Sequence, residues 1–410
     1  MYKIPRFKPS LSRRTIISIL RSIFTLSPRK NSEDRAQLFE DVFAKYIGVR
    51  NAICVSSGRM GLFLIFKSLC LKERSQVILP AFTYWAVPSI VSFLNLEPVF
   101  VDIDPKTCNL DVSQIEKNIT KFTKAILPTH LYGLPCQMDE ILAIAKKYNL
   151  LVIEDCVQAC GAKYKGKKVG SLGEASYFSF GITKNLFLLG GGMVVTNSDD
   201  LAKKIREEVN SYGFLNKRQL LKKTIEALVM QIFTSPFIFS FFLFPFMRLC
   251  YLLGRDIIGD VFEEKKMIFK DLPKSYFKLV PLSLQAEIGA EQLFTLDSLN
   301  NKRIKNASYL LEKLKGLNGV SLPAVFEDGI KNIFTNFPIR TKNRDFFARE
   351  LLKRKIDTSC GYMRAHSRTS LNAVAVGQNI LHLPIHASLN ESQLLYVSQI
   401  LKEIVGKVEK

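Results

Sequence analysis

The stretch Leu151–Asn197, LVIEDCVQACGAKYKGKKVGSLGEASYFSFGITKNLFLLGGGMVVTN, decides the fold. It opens on an apolar run, Leu151-Val152-Ile153, that ends on two acids, Glu154 and Asp155. An apolar run bounded by charge reads as a buried parallel strand with a carboxylate at its C-terminal end. A second strand follows over Ala175–Phe180. Then comes a lysine, Lys184, among residues that are almost wholly apolar or Gly. Such surroundings strip hydration from an ammonium and favour the free amine. An amine nucleophile downstream of a buried aspartate is what a pyridoxal phosphate enzyme needs. The lysine forms the Schiff base, and the aspartate keeps the pyridine nitrogen protonated so that the ring accepts electrons. On these two residues alone, a surface lysine and a strand-end aspartate are the simpler account.

The neighbouring residues change that balance. The order Glu154-Asp155-x-x-Gln158, then Ser179-Phe180-x-x-x-Lys184, then Gly190-Gly191-Gly192 resembles the DegT/DnrJ/StrS family of sugar aminotransferases. The resemblance runs from about Phe39 to Ser388, with one long insertion. It implies a fold-type I pyridoxal phosphate transferase of the α/β class. Such a protein has a mainly parallel, seven-stranded sheet, a smaller C-terminal α/β domain, and sites at the interface of a homodimer. It also implies that Lys184 and Asp155 are the catalytic pair and that Gln158 meets the ring hydroxyl. Ser57, Gly58, Arg59 and Ser179 would hold the cofactor phosphate, and Tyr84 would stack on the ring, with Trp85 as the rival aromatic. Glutamate is the implied amino donor and a keto-sugar the acceptor.

Several positions depart from the family pattern. Arg59 stands where the family has Thr, and offers a charge-assisted contact instead. Lys278 replaces an Asn that reaches the neighbouring subunit's phosphate, and can still serve it as a point charge. Val280 replaces an Arg, and Leu189-Gly190 replaces Gly-Glu. Two alternatives stand beside the aminotransferase, one within the family and one of another class. One is a sugar dehydratase, although the family's dehydratases typically carry His at the position of Lys184. The other is a non-catalytic membrane-associated scaffold, disfavoured by the joint retention of Lys184, Asp155 and Gln158.

Working outward, strands alternate with helices at the spacing of a mainly parallel α/β sheet. The strands read as Ala52–Val55, Val77–Pro80, Pro98–Asp102 and Ala125–Thr129, and Met138–Tyr148 is an amphipathic helix. Ser57, Tyr84, His130, Asp155 and Ser179 all fall at or just after strand ends, where such sheets bind ligands. Ser56-Ser57-Gly58 opens a helix, whose first N–H groups suit an anion. Phe82–Trp85 reads as the opening of another helix, and Asp199–Tyr212 as a third. The long helix Leu299–Leu314 leads into a smaller domain, with a strand at Phe334–Thr341 and a helix at Arg344–Arg354. The expected divisions are a basic segment over 1–36, a cofactor-binding domain over 37–290 and a small domain over 291–410.

From Ala227 to Met247 the chain carries no charge, and basic residues flank both ends. A bilayer-spanning helix needs roughly 20 apolar residues. Pro236 and Pro245 interrupt this one, so a broken helical hairpin dipping into one leaflet fits better than a crossing. A buried dimer-interface element is the alternative for this insertion, which covers about 215–275. The expected place is the cytoplasm, at the cytoplasmic face of a membrane, with peripheral contact through 224–255.

A net charge of +21 suits anionic partners such as nucleotide-linked substrates or anionic lipid surfaces. Nucleic acid is not among the expected partners. The eight cysteines form no CxxC pair and read as buried apolar residues in a reducing compartment. The basic N-terminus lacks the long apolar core and cleavage site of a signal peptide. None of the four histidines pairs with acids at metal-ligand spacing, so no metal is expected.

Overall fold

The computed structural model describes residues 3–9, 12, 14–17, 32–213, 215, 217–252, 278, 282–325, 329–361 and 363–408. A seven-stranded sheet organises the large domain. In chain order its strands are β1 (Asn51–Val55), β2 (Gln76–Pro80), β3 (Glu97–Val101), β4 (Thr123–Ile126), β5 (Leu151–Asp155), β6 (Ala175–Ser179) and β7 (Gly192–Thr196). Across the sheet the order is β1-β7-β6-β5-β4-β2-β3. Strand β7 alone runs against the others, pairing antiparallel with β1 and β6, while the remaining pairs are parallel. The α/β class expected from the sequence is therefore what the chain forms.

Eleven helices are used below: α1 (Ser32–Ile47), α2 (Gly58–Leu69), α3 (Ala86–Phe93), α4 (Met138–Tyr148), α5 (Asp199–Asn210), α6 (Lys217–Phe233), α7 (Phe244–Leu252), α8 (Leu282–Leu314), α9 (Arg344–Lys353), α10 (Leu371–Asn379) and α11 (Glu391–Val408). Strand side chains alternate between faces, and the helices divide accordingly. Ile53, Val55, Tyr177 and Val194 face α2, α3 and α5. Cys54, Phe178, Met193 and Val195 face α1 and the buried loop Leu186–Leu189. The two layers bury the central strands on both sides, which explains their continuous apolar runs.

Local chemistry sets the helix ends. Ser57 caps α2 by accepting the Met60 N–H, and Cys70 closes it in a left-handed conformation. Helix α4 carries Asp139 and Glu140 in its first turn and Lys146 and Lys147 in its last, which complements its dipole.

Three expectations change here. The long helix begins at Leu282, not Leu299, so a domain division at residue 290 falls inside α8. Residues Phe82–Thr83 do not open a helix. They pair antiparallel with Arg364–Ala365, and α3 starts at Ala86. The strand expected from Phe334 begins at Phe337, because Phe334 has a φ of 48°, outside extended geometry.

The small domain packs the second half of α8, α9 and α11 around a two-stranded antiparallel sheet, Phe337–Arg340 with Ile380–Leu383. The first described residues belong to it. Ile4 is fully buried in this core and bridges to Ile356, and Arg6 pairs with Asp357 at 2.8 Å.

The apolar insertion folds as two helical limbs, Arg218–Phe233 and Pro236–Cys250, bent by 69°. The first limb buries Leu220 and Ala227 in the cluster that holds Leu186, Leu188 and Leu189. The second buries Phe239, Phe244 and Met247 against Leu352 of the small domain. Among the described residues, no single helix is long and apolar enough to cross a membrane.

Candidate active site

Beyond the C-terminal ends of β1, β2, β4, β5 and β6 lies a cavity of about 290 Å³. Eight of the nine site residues expected from the sequence line it: Ser57, Gly58, Arg59, Tyr84, Asp155, Gln158, Ser179 and Lys184. Trp85, the rival aromatic, is not among the lining residues; it packs half-buried on the core. Lys278 is half-buried and does not line the cavity of its own chain. The contact expected of it is to a neighbouring subunit.

The cavity has two electrostatic poles. At one stands Asp155, buried, with Oδ1 accepting the Val157 N–H at 3.0 Å. Burial pushes its carboxyl up, against the downward pull of Tyr177, the Val157 N–H, Lys184 and His130. The Tyr177 hydroxyl faces this carboxylate but makes no hydrogen bond of ordinary geometry, and burial pushes its own ionisation well up. At the other pole is the N-terminus of α2. Ser57 Oγ accepts from the Met60 N–H at 3.2 Å, which leaves its own proton to donate. A Cβ on Gly58 would stand 3.1 Å from both Ser179 Cβ and Val157 Cγ2, so glycine lets these walls close on the helix start. Anions are favoured there by the helix dipole and by the first N–H groups.

Between the poles, Gln158 Oε1 accepts the Tyr132 N–H at 3.1 Å, which turns its NH₂ toward the cavity. Lys184 is half-buried, and its backbone N–H reaches the Gly181 carbonyl at 2.9 Å. The next residue fixes it from behind: Asn185 Nδ2 donates to the Cys160 carbonyl at 2.8 Å and to Asn300 Oδ1 at 3.2 Å. Thr83 and Thr129 also line the cavity, and their buried hydroxyls have no hydrogen-bond partner among the described residues. A buried hydroxyl without a partner costs about 1–3 kcal/mol. A polar ligand spanning the cavity would remove that cost, with a cationic group at Asp155 and an anionic group at the α2 end.

Behind Asp155 the fold adds a knot that the sequence reading did not pair. His130 Nε2 meets Glu154 Oε2 at 3.0 Å, both fully buried. Glu154 also accepts the N–H groups of Gly170, Leu172 and Gly173 at 2.8 Å each. Burial alone would raise the Glu154 carboxyl, but His130 and these N–H groups outweigh it and hold it below its usual value. His130 Nδ1 accepts the Cys136 N–H at 3.0 Å, which places the ring proton on Nε2. Together with Cys156, this trio brings three ligand-type atoms within 4.8 Å of one another. Both His130 nitrogens and both Glu154 oxygens are already engaged, so the trio is a structural knot that stiffens the end of β5.

Thr83, Thr129, Tyr177 and Met363 are lining residues that sequence reasoning missed. For Tyr177 a signal existed, since it shares a strand face with Ser179 two residues on. Thr129 follows the end of β4, which the same strand-end argument would have reached. Met363 comes from the small-domain segment paired to Phe82–Thr83, and no local pattern announces it.

A mostly parallel sheet with a lysine and a buried aspartate on one strand-end cavity is the architecture of an aminotransferase. The comparisons with known proteins agree. A profile described as the DegT/DnrJ/EryC1/StrS aminotransferase family matches residues 23–229 and 275–402, and the chain belongs to that family. The unmatched part, between 229 and 275, falls within the apolar insertion. The dTDP-3-amino-3,6-dideoxy-alpha-D-galactopyranose transaminase of Aneurinibacillus thermoaerophilus is 32% identical over 367 residues, 87% of this chain and 86% of that one. The GDP-perosamine synthase of Caulobacter vibrioides is 48% identical over 168 residues, 41% of this chain and 45% of the relative. Among solved structures, S. venezuelae DesV in complex with a ketimine intermediate aligns over 99% of both chains, at 27% identity and a TM-score of 0.74.

Proposed function

We propose that this transaminase moves an amino group from glutamate to a keto-sugar, nucleotide- or lipid-linked, with pyridoxal 5'-phosphate held in the cavity. The activity serves the making of surface polysaccharide or glycolipid. One observation carries the reading: a buried carboxylate and a helix N-terminus line one cavity, with Lys184 on its wall. The partnerless Thr83 and Thr129 hydroxyls support a polar occupant of that space.

When bound, the cofactor supplies an electron sink for the pair left as the donor's α C–H bond breaks. Lys184 Nζ would hold it, Asp155 would face its ring nitrogen, and the Gln158 NH₂ would face its ring hydroxyl. The N–H groups at the start of α2, with Ser57, Arg59 and Ser179, would hold its phosphate. Tyr84, on the cavity wall, would cover the ring face. Lys184 Nζ also takes the proton from the donor's α-carbon and delivers one to the acceptor carbon in the second half-reaction. Leu62, Val87, Ile90 and Met363 form an apolar wall that keeps water from that transfer.

The reading includes a homodimer, with Lys278 serving the neighbouring subunit's phosphate, and a position at the cytoplasmic face of a membrane. Borohydride reduction of the loaded protein, followed by peptide mapping, tests the central assignment. The label is expected on the peptide that contains Lys184, and a label elsewhere overturns it. A panel of keto-sugar acceptors, nucleotide-linked and lipid-linked, then identifies the substrate.

A further inference from the structure

We infer that the bent helical pair 218–250 is a one-leaflet anchor for an anionic lipid surface, and that its outer aromatic face enters the headgroup region. The inference rests on the membrane position proposed above and names the surface that produces it. On the second limb, Phe237, Phe241, Phe242, Phe246 and Leu249 are exposed, Phe241 and Phe242 at 61% each. On the first limb, Ile225, Val229 and Ile232 are exposed at helical spacing. So contiguous an apolar surface on a folded chain marks an interaction site.

The inner face is already taken. Leu220 and Ala227 pack on the loop after Lys184, and Phe239, Phe244 and Met247 pack on Leu352. Lys3 adds a clasp: its backbone N–H donates to Ser240 Oγ at 2.9 Å, and its ammonium lies 4.9 Å from the Phe244 ring centre. Both limbs are thus fastened to the body along one side. The first limb, α6, is 17 residues long, about 26 Å at 1.5 Å per residue, and the 69° bend stops the pair from forming one straight span. Such an element lies in the interface plane and does not cross.

Charge chooses the occupant. Within 218–250 the basic residues are Arg218, Lys222, Lys223 and Arg248, and the only acid is Glu226. Arg218, Lys222 and Arg248 are exposed. A second copy meeting this face about a two-fold axis would bring cations against cations. Anionic headgroups would meet them with opposite charge, while the phenylalanines enter the acyl boundary. The family profile passes over 230–274, which takes in the second limb, while most of the first limb lies within the matched residues.

The test is flotation of the full-length protein with vesicles of phosphatidylcholine, with and without phosphatidylglycerol. Wild type is expected to float with the anionic vesicles and to be released by salt. The double variant Phe241→Asp, Phe242→Asp should lose about a hundredfold in partitioning, at about tenfold for each buried ring. Lys222→Ala with Arg248→Ala should lose about thirtyfold, at about fivefold per cation. Both variants should keep the wild-type melting temperature and sedimentation mass, which shows that they are folded. Failure of wild type to float, or flotation of the variants like wild type, overturns the inference. A wild-type oligomer that Phe241→Asp breaks into smaller units, without flotation, would assign the face to a second copy and also overturn it. Flotation reads no chemistry, so a failed search for a keto-sugar acceptor leaves this result standing, and the reverse also holds.

Discussion

Around the cavity, buried hydroxyls are left without partners among the described residues; along the pair 218–250, a row of large apolar side chains is left exposed. Thr83 and Thr129 stand at the first, lining the same cavity as the buried Asp155. Phe241, Phe242 and Phe246 stand at the second. Each region departs from what a folded chain does by default, and in opposite directions: polar groups normally find partners inside, and large apolar patches normally find cover. The difference teaches that the two regions answer to different solvents. On the readings proposed above, the cavity takes a small charged ligand, and the helical pair an apolar medium with a charged skin. They are nevertheless mechanically joined, because Leu220 and Ala227 of α6 share a core with Leu186–Leu189, directly after Lys184.

The sharpest way to separate the regions is Lys184→Ala. It removes the amine and little else, so turnover should vanish while vesicle flotation and melting temperature stay at wild-type values. If turnover survives, Lys184 is not the carrier. Next in size is Asp155→Asn. The amide keeps the shape but cannot keep a ring nitrogen protonated, and turnover should fall about 10²–10³-fold, about 3–4 kcal/mol at 1.4 kcal/mol per tenfold. Steady-state kinetics on a keto-sugar acceptor measure it, and near-normal kcat would move the role to another residue.

Leu220→Ala tests the joint between the regions. Truncating a fully buried leucine should cost about 2–5 kcal/mol of stability by chemical denaturation. Activity should fall with it, unlike in the outward-facing phenylalanine variants. Equal activity would mean that the loop after Lys184 holds its shape without α6. The smallest effect is expected on the acid side of the small domain. His382 is buried beside Arg6 and Tyr132, and burial first, then Arg6, lowers its pKa from 6.5 to about 4. The unfolded chain therefore takes up this proton before the folded one as pH falls. Stability from this group is whole above about 6.5 and is lost down to about pH 4, by at most about 3 kcal/mol. Denaturation across that pH range should show a shallower acid limb in His382→Asn than in wild type.

The sheet and the polar residues at the strand ends of the cavity were legible because their signals are local. Apolar runs ending in Asp155 and Ser179 announce buried strands, and strand ends place functional groups on one edge. The misses share a different cause. His130 and Glu154 are partners only because β4 and β5 are neighbours in the sheet, which no spacing in the chain reveals. Met363 reaches the cavity through a strand pair formed between two domains. The expected start at Leu299 leaves out the first half of α8, which includes Gly289. In the fold it is a close-approach point: a Cβ there would lie 2.4 Å from the Phe39 ring. Likewise the left-handed Phe334 shortens a strand that its apolar neighbours advertise.

Helix α8 carries one more consequence, for anyone who would recombine these parts. Its 33 residues, about 50 Å long, run unbroken from the Phe39 contact at Gly289 to the small-domain core at Ala307, Leu310 and Leu314. Midway, Asn300 grips the Cys160 carbonyl at 3.1 Å and accepts from Asn185. The small domain is therefore indexed to the segment that carries Lys184 by helical phase. One residue added between Gly289 and Asn300 would turn everything downstream by about 100° and shift it by about 1.5 Å. A chimaera that exchanges small domains between relatives must keep the count of residues along this shaft, whatever their identity.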